Sequence, residues 1–443
     1  MIRRRRFLTL AGAAAGAHLM RGVLPRERQA TAADASKKPS RPPNVVLIIS
    51  DDQGWGDYGF MGHPTIETPN LDHLASQSLV LTRGYVPTSL CRPSLGTIVT
   101  GRYPHQHGSV GNDPRGGARN LAGREEMVKS FERLDTLPRL LAGKGYVSFQ
   151  SGKWWEGHHS RGGFTAGMTH GDPKRGGRHG DAGLKIGRTG MKPVFDFMDK
   201  AVVGDKPFFL WYAPFLPHSP HNPPKRLLDK YTAPGRSKFI ARYWAMCEWF
   251  DETCGQLLGY LDKKRLAANT LVAYVCDNGW IQKTNSGGAD FSRSKRSPYD
   301  GGVRTPIMLR WPGRVPPRTD KQTLAQSIDL APTILAACGL KATADMPGVN
   351  LLDSAAAAKR KAIFGEIFSH DIVDFADPAS GLQYRWCIEG RWKLIAPHNR
   401  GRAQLYDIIA DPHETKDLAA GHPDKVAHLR KLLDAWWPAK RKE

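Results

Sequence analysis

The chain has 443 residues and a formal charge of +22, with 40% of residues hydrophobic and 24% charged. That length supports one large domain and a smaller one, and that balance excludes disorder on a large scale. Part of the basic excess fits a plain solvated surface, and the rest favours an anionic partner.

The first residues, MIRRRRFLTLAGAAAGAHLM, set four arginines before an apolar run too short and too glycine-rich to span a bilayer. This pattern predicts an export signal over residues 1–33. Arg4, Arg5, Phe7 and Leu8 match the core of a twin-arginine signal, so the expected partner is the twin-arginine export machinery; a general secretory signal is the alternative. The predicted location is the bacterial periplasm or the exterior. No later apolar run of about eighteen residues suggests a stable membrane anchor. Residues 1–33 hold seven arginines against one glutamate, leaving about +16 on the mature part. Export and the lack of a recognisable nucleic-acid module favour a small anion or acidic polysaccharide over nucleic acid.

Along the chain, apolar runs of strand length recur as NVVLIIS (44–50), YVSF (146–149), PFFLWY (207–212), LVAYVC (271–276) and PIMLRW (306–311). They are continuous, as in strands buried on both faces. Helical patterns such as IETPNLDHLASQSL, RLDTLPRLLAGKG and ARYWAMCEWFDETCGQLLGYLDKK lie between them. The alternation predicts an α/β fold with a mainly parallel sheet flanked by helices.

Polar residues follow several of these runs: Asp51 and Asp52, Lys153, His218, and Asp277 with Asn278. In an open parallel sheet all of them reach the carboxyl edge, where such folds bind ligands. The three aspartates and the asparagine offer hard oxygen ligands suited to Ca²⁺ or Mg²⁺ rather than zinc. A lone Asp-Asp or Asp-Asn after a strand is commonly a helix cap or turn, so the argument rests on the two pairs together.

Six cysteines in an exported chain invite a disulfide count. Cys247 and Cys254 are seven apart in a predicted helix, about 10 Å along its axis and out of bridging reach. Cys276 and Cys338 read as small buried hydrophobes. Cys91 differs, standing in SLCRPSLGTIVTGRYPHQHG among Arg, Pro, Ser and Thr. Pro93 opens a short predicted helix ended by Gly101, which places Cys91 just outside its positive end, where an anion or thiolate is favoured. A buried structural cysteine competes with that reading.

The chain resembles the sulfatases of the alkaline phosphatase superfamily. The segments that carry the likeness are NVVLIISDDQGWGDYG, PTIETPNLDHLASQSLVLTRGYV, CRPSLGTIVTGRYPHQHG, SGKWWEG, PFFLWYAPFLPHSPH, LVAYVCDNGW, KRSPYDGGVRTPIMLRWPG and RWKLIAPHNRGRAQLYDIIADPHETKDLA, in the family's order. The resemblance implies that Asp51, Asp52, Asp277 and Asn278 ligate a divalent metal, usually calcium, with magnesium also fitting. It implies that a formylglycine-generating enzyme oxidises Cys91 to formylglycine, whose hydrate completes the metal site and attacks sulfur. Lys153, His218 and Lys295 fall on groups that hold the sulfate and assist the leaving oxygen. The implied activity is sulfuric ester hydrolysis; the basic charge and export favour a sulfated polysaccharide as substrate, with aryl or small-molecule sulfates also open.

Two positions depart from the family pattern. Leu95 stands where the modification segment carries arginine, and Trp155 replaces a histidine that hydrogen-bonds the nucleophile. Arg92, His158 and His159 are candidate substitutes, the last two on a Gly- and His-rich stretch (157–190) that reads as a flexible rim or simply a long loop. The alternatives are a catalytically impaired protein that binds sulfated glycans, and a phosphodiesterase or phosphonate hydrolase of the same superfamily. The expected domains are a catalytic domain over 34–354 and a smaller antiparallel α+β subdomain over 355–443, built from AIFGEIF, YRWCIEG, RWKLIA and the helical HPDKVAHLRKLLDAWW.

Overall fold

The computed structural model describes residues 41–399 and 401–440, so the export signal lies outside the described residues. Its strands in chain order are β1 (Asn44–Ser50), β2 (Leu79–Leu81), β3 (Gly84–Tyr85), β4 (Val147–Gly152), β5 (Ala166–Gly167), β6 (Phe208–Ala213) and β7 (Thr270–Cys276). They continue as β8 (Ile307–Arg310), β9 (Arg318–Asp320), β10 (Ala325–Gln326), β11 (Ala362–Phe368), β12 (Leu382–Glu389), β13 (Trp392–Pro397) and β14 (Gln404–Asp407). Eight form one sheet in the order β5-β4-β6-β1-β7-β8-β2-β9. β5, β4, β6, β1 and β7 run parallel, which brings the carboxyl ends of the four polar-tipped strands side by side.

The continuous apolar strands are buried on both faces. In β1, Val45, Leu47 and Ile49 face one core and Val46 and Ile48 the other, as the two-residue repeat of a doubly covered strand requires. On the first face the sheet is covered by Cys91–Thr100, Leu137–Ala142 and Leu330–Ala337; on the second by Pro69–Ser76, Lys192–Val203 and Lys238–Lys263. Each fully buried aliphatic side chain here contributes about 1.5–3 kcal/mol relative to exposure.

Three details differ from the sequence expectation. The helical pattern around residues 66–79 stops at Ser76, and Leu79 opens β2. The run at 306–311 becomes β8, antiparallel to both β7 and β2, so it sends its carboxyl end away from the site. Cys91 is the first residue of its helix rather than a residue outside it, with Leu90 as N-cap and Gly101 closing the far end at φ 68°.

β11 to β14 form a separate antiparallel sheet. One face packs on the Pro423–Trp436 helix through Leu429 and Leu433, while Ile363, Ile367, Trp386 and Ile388 join the core of the large sheet. A buried ion triad fixes the junction: Lys393 Nζ lies 2.7 Å from Asp300 and 2.8 Å from Glu414. All six cysteines are free and buried, and no helix of the described residues is long and apolar enough to cross a membrane.

Candidate active site

The chain turns sharply after β1 to bring two adjacent carboxylates to one place. Asp51 N–H donates to Leu216 O at 3.0 Å, and Asp52 adopts φ 62°, a left-handed conformation that Asp tolerates better than most residues. β4 ends at Gly152, φ 86°, where a Cβ would come within 1.8 Å of Ala213 O. Only glycine allows β4 to approach β6 this closely, and that approach delivers Lys153 to the crevice.

These residues converge with those from β7. Asp277 Oδ1 accepts from Asp52 N–H at 3.1 Å and from Asn278 N–H at 2.7 Å, and Asn278 Nδ2 donates to Asp52 Oδ1 at 2.6 Å. Lys153 Nζ donates to Asp51 Oδ1 at 2.5 Å and lies 3.4 Å from Asp277 Oδ2. Lys295 Nζ bridges both oxygens of Asp52, at 2.7 and 2.8 Å, to Cys91 Sγ at 2.9 Å. His218 Nδ1 donates to Ser219 O at 2.5 Å, which directs Nε2 toward Asp52 Oδ2 at 3.3 Å. The structure therefore brings together all eight residues singled out in the sequence.

Three buried carboxylates against two ammonium groups leave the cluster short of positive charge. Burial, only partly offset by Lys153, pushes the Asp51 carboxyl well above its usual range. Burial also opposes ionisation of Asp52, but Lys295 and His218 outweigh it and hold that carboxyl low. Lys153 is desolvated too, yet Asp51 and Cys91 keep its ammonium charged. Asp51 Oδ2 and Asn278 Oδ1 are buried acceptors with no protein donor. Orphaned oxygens beside an uncompensated carboxylate are what a divalent cation satisfies, and Asp51, Asp52, Asp277 and Asn278 supply hard oxygen donors. Asp51, Asp52, Cys91 and His218 offer ligand atoms within 4.8 Å of one another.

Above Cys91 is a pocket of about 230 Å³ lined by Asp52, Lys295, His218, Asn112, Trp155, Arg178, His179, Trp280, Arg296 and His370 among others. His179 and Arg178 were not recognised in the sequence. Arg178 donates to both oxygens of Asp113 and, at 2.6 Å, to His179 Nε2. Burial and the neighbouring Arg178 push His179 down to about 3, so its ring is neutral. The one sequence signal for them is their position in the Gly- and His-rich stretch. That stretch is not a loose rim: it contains short 3₁₀ turns and is pinned by Trp154 N–H to His179 O at 3.0 Å.

The suggested substitutes for the family's arginine and histidine go elsewhere. Arg92 is 1% exposed and paired with Glu156, Nε to Oε1 at 2.8 Å, while its other nitrogens donate to Gly111 O and Met127 O. His158 and His159 cluster with His170. Leu95 is 3% exposed and belongs, with Cys91 and Trp155, to one contiguous apolar cluster. Trp155 packs edge-on to His179 at 4.7 Å between Arg124 and Arg178, with its Nε1–H buried and unpartnered.

A sulfatase family model matches residues 43–340, and the model described as N-sulphoglucosamine sulphohydrolase, C-terminal, matches residues 291–436. The chain belongs to the sulfatase family. This sulfatase-family chain is 31% identical over 354 residues to N-acetylgalactosamine-6-sulfatase of Canis lupus familiaris, covering 70% of this chain. It is 30% identical over 363 residues to arylsulfatase A of Homo sapiens, again over 70% of this chain. In both cases it spans 66% of the relative's length. Among solved structures it is similar to Ps i-CgsB in complex with k-i-k-neocarrahexaose, with a TM-score of 0.74 and 25% identity, covering 90% of this chain and 94% of that one.

Proposed function

We propose that the chain is an exported sulfuric ester hydrolase acting on a sulfated, carbohydrate-class substrate. The observation that carries the reading is the placement of Cys91 Sγ 2.9 Å from Lys295, which is itself bound to Asp52 in a cluster with two orphaned buried oxygens. Family membership and the sulfated-glycan relatives support it. In this reading Asp51, Asp52, Asp277 and Asn278 hold a divalent cation, calcium by ligand type with magnesium also suited. When present, the cation and a formylglycine at position 91 supply charge neutralisation and a nucleophilic hydroxyl.

The chain's own residues do the rest. Lys153 and Lys295 keep their charge in the buried pocket and neutralise sulfate oxygens as negative charge builds. His218, anchored through Nδ1 to Ser219 O and pushed well below the usual histidine range by burial, presents an Nε2 lone pair, the atom through which a proton would pass to the leaving oxygen. Trp155, His179 and Trp280 wall the pocket and exclude water. The division into a catalytic part over 34–354 and a subdomain over 355–443 is supported by the separate antiparallel sheet. The twin-arginine-like signal supports export through that machinery, and Cys91 in its Cys-x-Pro-Ser segment supports a formylglycine-generating partner.

A second reading, an unmodified and poorly active protein that binds sulfated glycans, is favoured by Leu95, which supplies no guanidinium to the modification segment. Coexpression with a formylglycine-generating enzyme separates the two. The first reading expects an aldehyde at position 91 and turnover of an aryl sulfate; a persistent thiol with no turnover sinks it. A marked preference for the matched aryl phosphate would instead indicate a phosphohydrolase.

A further inference from the structure

His158, His159 and His170 gather at one place on the segment that follows Lys153, away from the oxygen-rich cluster. His158 and His159 enter the 3₁₀ turn His159–Gly162, and His170 returns beside them after β5. One ring nitrogen from each lies within 4.8 Å of the other two, and the ring centroids are 4.1, 5.7 and 6.2 Å apart. Three imidazoles this close repel if protonated. Burial pushes His159 below the usual histidine range against the opposing hydrogen bond to Thr169 O, and its two histidine neighbours add to the lowering.

The rings are also oriented. His159 Nδ1 donates to Thr169 O at 3.1 Å, which fixes the tautomer whose Nε2 keeps its lone pair. This is the backbone-carbonyl anchor that metal-bound histidines use. His158 Nδ1 lies 2.8 Å from Ser160 Oγ, a hydroxyl able to accept its proton; the longer contact from Ser160 N–H, at 3.3 Å, favours the other tautomer, so metal binding selects between them. His170 is held through its backbone, whose N–H donates to both oxygens of Asp181 at 3.1 and 3.0 Å, while its ring is exposed. Asp181, buried and also bonded to the N–H groups of Asp172 and Ala182, places a negative charge beside the trio.

We propose that His158, His159 and His170 form a second metal site, a three-imidazole site for a borderline divalent ion of the Zn²⁺ class, with an open fourth position. Neutral nitrogen ligands without a coordinating carboxylate suit zinc, copper or nickel and not calcium or magnesium. Ligands on a common ion at about 2.1 Å stand about 3.4 Å apart, so the rings draw in by roughly 1 Å on binding. The site ties 158–159 to 170 within the segment that carries Arg178 and His179 to the Cys91 pocket. Its ion braces the pocket wall without touching the reaction. The other non-catalytic cluster, Asp113, His370 and Asp371, differs because Arg178 already occupies both Asp113 oxygens.

The test uses the full chain in calcium-containing buffer, with Zn²⁺ followed by calorimetry and Cu²⁺ by electron paramagnetic resonance. The expected result is one saturable Zn²⁺ site and a Cu²⁺ spectrum with nitrogen coupling from imidazoles. Both should be retained in Asp52→Asn, and His159→Ala or His170→Gln should weaken binding at least 10-fold. His170 is exposed, so its variant keeps the fold, as circular dichroism will verify. Zn²⁺ affinity unchanged in both histidine variants, or lost in Asp52→Asn, would overturn the proposal.

Discussion

The two sides of the Cys91 pocket are built on opposite principles. On the carboxylate side, Asp51, Asp52, Asp277 and Asn278 meet at strand ends with more acceptors than the protein can satisfy. On the other side, Leu95 and Trp155 are part of an apolar cluster, Arg92 is matched by Glu156, and Arg124 and Arg178 lie over the Trp155 ring. The first side keeps two buried oxygens, Asp51 Oδ2 and Asn278 Oδ1, that no protein donor satisfies. The second is packed around Leu95 and Trp155, both buried, with the Trp155 Nε1–H left as an unpartnered donor.

The largest expected effect breaks the first side alone. Asp52→Asn keeps a residue type that tolerates φ 62° but removes a carboxylate charge from the proposed cation site. Calcium affinity should fall by more than about 100-fold, beyond the cost of losing an outer-shell partner, and stability should fall as well, because buried Lys295 loses its anionic partner. Calorimetry checks the first and a melting curve the second. Unchanged affinity would place the calcium site elsewhere.

Arg92→Ala breaks the second side. It strands Glu156 in the interior, an expected loss of about 3–5 kcal/mol in denaturant unfolding. The double variant Arg92→Met with Glu156→Gln should recover much of it; no recovery would show that the pair is not the source.

Leu95→Arg then exchanges the character of the two sides. A guanidinium entering the apolar cluster should cost about 2 kcal/mol while raising the fraction of Cys91 converted to formylglycine, read by peptide mass spectrometry. Equal conversion would clear Leu95 as the obstacle.

Trp155→Phe is subtler. It removes the buried, unpartnered Nε1–H and three ring atoms; we expect kcat to drop about 10-fold, the worth of one hydrogen bond from that free N–H to a bound sulfate, and stability to fall by about 1–2 kcal/mol for the smaller ring. An unaltered kcat would make Trp155 a wall and nothing more.

The smallest effect near neutrality is in pH dependence. His179 is held at about 3, by burial and then by Arg178, Lys153, Arg124 and Lys295. Its folded value lies below its unfolded one, so its contribution to stability is complete above about pH 6.5 and is lost as pH falls toward about 3. His179→Gln should flatten that acid limb, by at most about 1.4 kcal/mol per pH unit. An identical acid limb in the variant would contradict the assignment.

The legibility of the sequence follows the same division. NVVLIIS and LVAYVC announce buried strands, and the residues just after them can be assigned to one sheet edge because a parallel sheet permits no other arrangement. Asp51, Asp52, Lys153, His218, Asp277 and Asn278 were legible for that reason. Cys91 and Lys295 were not, since no strand end carries them; Cys91 stood out by its setting, and Lys295 through the family likeness. The antiparallel course of β8 and the two- and three-residue strands β2, β3, β5, β9 and β10 leave too few residues for a period to register. Arg92 and Glu156 are 64 positions apart, and nothing local to either predicts their ion pair. His179 reaches the pocket through Gly-rich turns that carry no periodic signal.

The most direct test of the central claim is the state of the Cys91 peptide, measured on the same preparation that is assayed with an aryl sulfate and calcium after coexpression with a formylglycine-generating enzyme. The account predicts an aldehyde at position 91 and turnover that disappears in Cys91→Ala. A thiol at position 91 together with no hydrolysis, or hydrolysis that survives Cys91→Ala, would contradict it.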